Sequence, residues 1–171
     1  MNKKRALLGT VVILALSFLF HSVYEKFPNI VTSFLFPVNE SIWEHNKIVF
    51  LSFLVWAICE NTFSKSGKSI FFLNLASLII CILLLDTSFS IIYFLILKKK
   101  HNLMITLIIY AVSILLSFLI GKKFLIEKNR KVENIALVGY LAIFLILSVL
   151  TYYPPELPIF YDYTSNFYGI K

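Results

Sequence analysis

The chain holds 171 residues, 59% of them hydrophobic and 15% charged, with a mean hydropathy of +0.85, values that exclude a water-soluble single domain. Seventeen Phe, nine Tyr and long Ile, Leu and Val runs exclude intrinsic disorder as well, because an unfolded chain would leave that apolar surface in water. The net charge of +7 lies in short basic clusters between apolar stretches, which the preference of Lys and Arg for the cytoplasmic side of a bilayer explains, and no nucleic-acid partner is expected.

A helix crosses about 30 Å of hydrocarbon in roughly 20 apolar residues, and on that measure five spans are predicted. The first covers residues 6–24 behind Lys3, Lys4 and Arg5. Its apolar stretch is longer than the core of a signal peptide and no small-x-small cleavage pattern follows, so it is expected to stay as an anchor. The second covers residues 41–60, of which only 48–59 is continuously apolar, so its first turns must lie at the interface or against protein. The third, residues 69–97, is too long to stand upright and must tilt, kink or protrude. Residues 103–120 and 135–153 supply the last two spans, after which Pro154, Pro155 and Pro158 forbid further helix and leave an aromatic tail at 154–171. Cys59 and Cys81 fall inside apolar runs and read as small buried hydrophobes, with neither a disulfide framework nor a zinc spacing.

Lys and Arg counted loop by loop set the orientation. One side collects ten, from the N-terminus, Lys65, Lys68 and the stretch 122–131, against five on the other from Lys26, the lysines at 98–100 and Lys171. The expectation is an all-α polytopic, multi-pass membrane helix bundle, one integral membrane domain over residues 1–171. Its N-terminus is cytoplasmic and its C-terminus extracytoplasmic.

This topology gathers the residues capable of chemistry at the outer face. His21 and Glu25 are four apart on one helix, and Glu40 with Glu44, and Ser41 with His45, repeat that spacing at the start of the second. Much of this has a structural explanation. Ser41 to Glu44 fits a capping box, Asn39 with Val38 and Trp43 fits a cap and staple, and Glu40 suits the positive end of the helix dipole. Trp43 suits an interfacial aromatic belt, and Lys47 is expected to snorkel outward. Neither capping nor belt formation calls for imidazoles at His21 and His45. Imidazole and carboxylate together suit a divalent metal such as Zn, and an open coordination position would activate water. The same residues without a metal suit a proton relay, or would hold a cationic or hydroxylated ligand by Glu–His hydrogen bonds. Ser41 as a nucleophile beside His45 lacks an oxyanion hole. Asp86, deep in the third span, is either a site residue or a packing residue bonded to Thr87, Ser88 or Asn74. His101, beside three lysines, reads as a loop residue. The tail is expected to fold back as a lid over the His/Glu cluster, bringing Asp162 to it.

The decapeptide Phe36-Pro37-Val38-Asn39-Glu40-Ser41-Ile42-Trp43-Glu44-His45 resembles the "SPVNESVWEH" signature of a family of small bacterial integral membrane proteins of unknown function, with Phe36 where the family has Ser. His21, Tyr24 and Glu25 are similar to that family's His-x-x-Tyr-Glu at the end of the first helix. Leu157, Pro158, Ile159, Phe160, Asp162, Tyr168 and Gly169 resemble its closing pattern, although Tyr163 stands in place of Pro, Asn166 in place of Gly, and Thr106 in place of the Asp that opens the fourth span. These three separated signatures are the ones that the topology places together outside, which supports one shared site; the resemblance implies a protein of the bacterial plasma membrane, and no activity, substrate or cofactor.

The leading expectation is a metal-dependent membrane hydrolase acting on a lipid or envelope substrate. His21, Glu25, Glu40, Glu44 and His45 would hold the metal, with Glu40, Glu44 and His45 in catalysis. Asn39, Trp43, Asp86 and Asp162 would contact a lipid or small-molecule ligand. Two alternatives remain: a small proton-coupled transporter in which Asp86 links the cluster to the cytoplasmic side, and a non-catalytic subunit whose motif packs against a partner.

Overall fold

The computed structural model describes residues 3–64, 66–92 and 102–170. Five long helices dominate it: α1 (Lys3–His21), α4 (Ile42–Phe63), α5 (Ile70–Ile91), α6 (Leu103–Gly121) and α7 (Arg130–Tyr152). Two short ones, α2 (Val23–Lys26) and α3 (Ile30–Leu35), fill the connection before α4, and a small hairpin of β1 (Tyr161–Asp162) and β2 (Phe167–Tyr168) closes the chain. All five long helices, the first taken with α2 as Lys3–Lys26, are long and apolar enough to cross a membrane.

Local chemistry sets their starts. The Asn102 side chain accepts from the Ile105 amide and the Asn129 side chain from the Lys131 amide. The second cap starts α7 at Arg130, ahead of its apolar run. Asn29 caps α3 in a full box with Thr32, a short helix that residues 26–40 did not announce. The third span was expected to run to residue 97; its part from 93 onward, the lysines at 98–100 and His101 lie outside the described residues.

The helices alternate in direction, and polar contacts mark both ends of the bundle. At one end Arg5 pairs with Glu60, which also accepts from Asn74, and Lys68 bridges Glu127 across two loops. At the other end His21 meets His45, Asn46 meets Asp86, and the Ser33 and Tyr152 hydroxyls lie 2.6 Å apart. Between them α4 and α5 are the most enclosed spans. Close packing and buried polar contacts join the helices. A Cβ on Gly121 would stand 2.1 Å from the Ser77 hydroxyl, so the glycine lets α6 close on α5. Likewise Ser17 and Ser52 meet at 3.3 Å between α1 and α4.

Candidate functional site

The segment from Asn39 to Lys47 divides its polar residues between two tasks. Ser41 caps α4, its hydroxyl accepting from the Glu44 amide at 3.3 Å. The Glu44 carboxylate does not complete the expected box. It turns inward, only 2% exposed, and forms an ion pair at 2.8 Å with Lys47, which is 1% exposed. Thr151 of α7 donates to its other oxygen at 2.8 Å and the Val38 amide donates at 3.1 Å. Lys47 also donates to the carbonyls of Ser33 and Phe36. Every charge and most donor capacity is thus satisfied inside the protein, the condition under which a buried pair is tolerated. Lys47 therefore does not snorkel, and Glu44 is not among the cluster residues it was expected to join.

The tail folds back onto the same segment. Phe160 stacks on Trp43 with ring centroids 4.7 Å apart, so the tail covers part of the indole. Asn39 donates to the Gly169 carbonyl at 2.8 Å, and Gly169 has φ +67°, a conformation open to glycine at little cost. Asp162, 1% exposed, accepts from the Glu40 amide at 3.2 Å. Burial opposes its charge, yet bonds from the Thr164 hydroxyl and amide and the amides of Glu40 and Ser165 outweigh that and hold its carboxyl below the usual range. Asp162 therefore fixes Glu40 through the backbone, its carboxylate already occupied by those donors.

With Glu44 and Lys47 turned in, Glu40 and His45 face the other way, towards His21 at the end of α1. The two imidazole Nε2 atoms lie 3.2 Å apart, and one Glu40 carboxylate oxygen stands 3.8 Å from His21 Nε2 and 3.5 Å from His45 Nε2. A tetrahedral ion with bonds of about 2.1 Å separates its ligand atoms by about 3.4 Å, so these three atoms already form one face of such a coordination shell. The Nδ1–H of His45 donates to the Ser41 carbonyl at 2.8 Å, which leaves its Nε2 lone pair for the centre of the cluster. Among the described residues this is the one group of three or more His, Cys, Asp or Glu side chains close enough to share an ion. Glu25 is not in that group, although with His21 and Glu40 it lines an outer cavity of about 340 Å³.

Asp86 finds its partner in a residue that the sequence did not single out: Asn46, one position beyond His45, donates to both carboxylate oxygens at 2.9 and 3.2 Å. Asn74, an expected partner of Asp86, bonds Glu60 instead. Asp86, Asn46, Glu40 and His45 line a second cavity of about 340 Å³, roofed by Tyr161, Tyr163 and Thr164 of the tail. Ser41 is no nucleophile here, since it is 2% exposed and His45 bonds its carbonyl rather than its hydroxyl.

Fold and site together define a mostly helical protein with five helices of membrane-spanning length and a polar cluster of two imidazoles and a carboxylate at one end of the bundle. Residues 1–170 match DUF6512, a family of unknown function, and the chain belongs to that family. No curated protein matches the chain, and neither does any solved structure.

Proposed function

We propose that the protein is a metal-dependent hydrolase embedded in a bacterial plasma membrane, with its N-terminus cytoplasmic and its catalytic face extracytoplasmic. The observation that carries this reading is the triangle formed by His21 Nε2, His45 Nε2 and one oxygen of Glu40, whose sides of 3.2, 3.5 and 3.8 Å suit a zinc-like ion. Three protein ligands leave a fourth position open, as in catalytic rather than structural zinc sites. When bound, such an ion supplies Lewis acidity and lowers the pKa of a water in that open position towards neutrality. The chain's own residues orient and exclude. Ser41 fixes the His45 ring, Asp162 fixes the Glu40 backbone, and the tail shields the inner cavity from bulk water. Hydrolysis adds the hydroxyl of water to the electrophilic carbon or phosphorus of the substrate and its proton to the departing group.

Transport is the less favoured reading because the polar side chains of α5 on the far side of Asp86 are engaged locally. Ser77 donates to the Leu73 carbonyl, and Asn74 to the Ile70 carbonyl and Glu60. The test is hydrolysis of a panel of lipid esters and phosphoesters by detergent-purified protein, before and after chelation. Activity that chelation removes, that zinc restores, and that His45→Ala lacks under both conditions supports the proposal. Undiminished turnover after exhaustive chelation contradicts it.

A further inference from the structure

We infer that the substrate of this cluster is an amphiphile that arrives sideways from the bilayer between α1 and α6, its chain held in a lateral groove and its uncharged, hydroxyl-rich head held in the inner cavity. This rests on the metal reading above and names the class of molecule that reading would act on.

Three cavities meet at the cluster. Glu40 lines all of them, His45 the inner and lateral ones, His21 the lateral and outer ones. The lateral groove, about 180 Å³, is walled by Leu14, Phe18, Ile48, Leu103 and Leu107. Phe18 and Leu103 are each 60% exposed on helices of membrane-spanning length, so the medium against this groove is acyl chain. A wholly water-soluble substrate has no use for such a wall, whereas a lipid chain fills it without leaving the bilayer.

The inner cavity, about 340 Å³, falls within the range of small-molecule sites, about 300–1,000 Å³. Its polar groups specify the head. Asp86, which is not among the three ligand atoms of the cluster, is the carboxylate acceptor that a bound ion leaves on its wall. Groups facing Asp86 must donate hydrogen bonds, and a second negative charge there would be repelled. Asn102, Thr106 and Thr164 add small donors and acceptors, while Tyr161 and Tyr163 add rings against which a sugar or glycerol can lie. At the Asp86 wall this pattern selects hydroxyls over phosphate or carboxylate. The outer cavity, lined by Tyr24, Glu25, Asp162 and Ser165 among others, provides the aqueous side from which water reaches the cluster.

The experiment is native mass spectrometry of the zinc-loaded, detergent-purified protein titrated with two dioleoyl lipids, a monoglucosyl diacylglycerol and phosphatidic acid, with free glucose as the chainless control. The expected result is at least tenfold tighter binding of the glucosyl lipid than of phosphatidic acid, and no binding of glucose in the same range. Leu107→Trp, which fills the groove, weakens the glucosyl lipid at least tenfold with zinc stoichiometry unchanged. Leu14→Trp does the same from the opposite wall and guards against a folding defect in the first variant. Asp86→Asn erases the preference between the two lipids. Zinc bound with equal affinity for both lipids, or with both groove variants binding as wild type, overturns this inference alone. A lipid preference in protein that takes up no zinc at any loading overturns the metal reading and leaves the binding preference standing.

Discussion

Glu40 and Glu44 are four residues apart and do opposite things, and burial separates them. The side chain of Glu40 is 46% exposed at the cluster, while that of Glu44 is 2% exposed against Lys47. Removing one member of a buried pair strands the other charge, so Lys47→Met should cost about 3–5 kcal/mol of stability, and the double variant Glu44→Leu/Lys47→Met much less than the two single losses added. Thermal unfolding in detergent measures both. Equal, additive losses would show that the pair is not coupled. Zinc affinity separates the two glutamates further. Glu40→Gln should lower it at least about tenfold by removing a ligand, whereas Glu25→Gln should leave it within about threefold of wild type, as read by competition with a chromophoric chelator.

At the scale of the elements, the short segments decide whether the cluster forms. Asp162 holds the tail against Glu40, and its folded pKa lies below the ordinary 3.8. A depressed carboxyl value stabilises the docked tail at neutral pH, and that stabilisation declines once the pH drops past the unfolded value and is gone below the folded one. Hydrogen exchange in residues 158–170 should therefore stay slow down to about pH 4 and accelerate below it, while Asp162→Asn should exchange fast throughout, with no such step. A step of the same size in the variant would place the titration elsewhere. Hydropathy made the five long helices legible, because about 20 apolar residues in a row have few alternatives to a span. The return of the tail was also legible, since Phe160 and the tyrosines need cover. Other features were not. The inward turn of Glu44 depends on Thr151, more than one hundred residues away, and the Asn46–Asp86 contact depends on how α4 meets α5. Periodicity carries neither fact. Imidazoles without a local structural task were the better guide: His21 and His45 meet, while the i,i+4 carboxylate beside His45 does not join them.

For the whole molecule, the count of basic residues argues for a cytoplasmic N-terminus and an external cluster. In a background of Cys59→Ser and Cys81→Ser, Glu156→Cys should react with a membrane-impermeant maleimide in intact cells, and Lys128→Cys only after permeabilisation. The reverse pattern would put the cluster on the cytoplasmic face. Lys128 and Glu156 are exposed and flank α7, so the labelling reads the orientation of that helix. Everything proposed about chemistry depends on a single ion reaching the junction of α1 and α4. X-ray absorption at the zinc edge, on protein loaded with one equivalent of zinc, examines that ion directly. The account predicts about four light scatterers at about 2.0–2.1 Å with the outer-shell signature of two imidazoles, falling to one imidazole in His21→Ala. A spectrum with no imidazole scattering, or one unchanged in the His21→Ala/His45→Ala double variant, would contradict it.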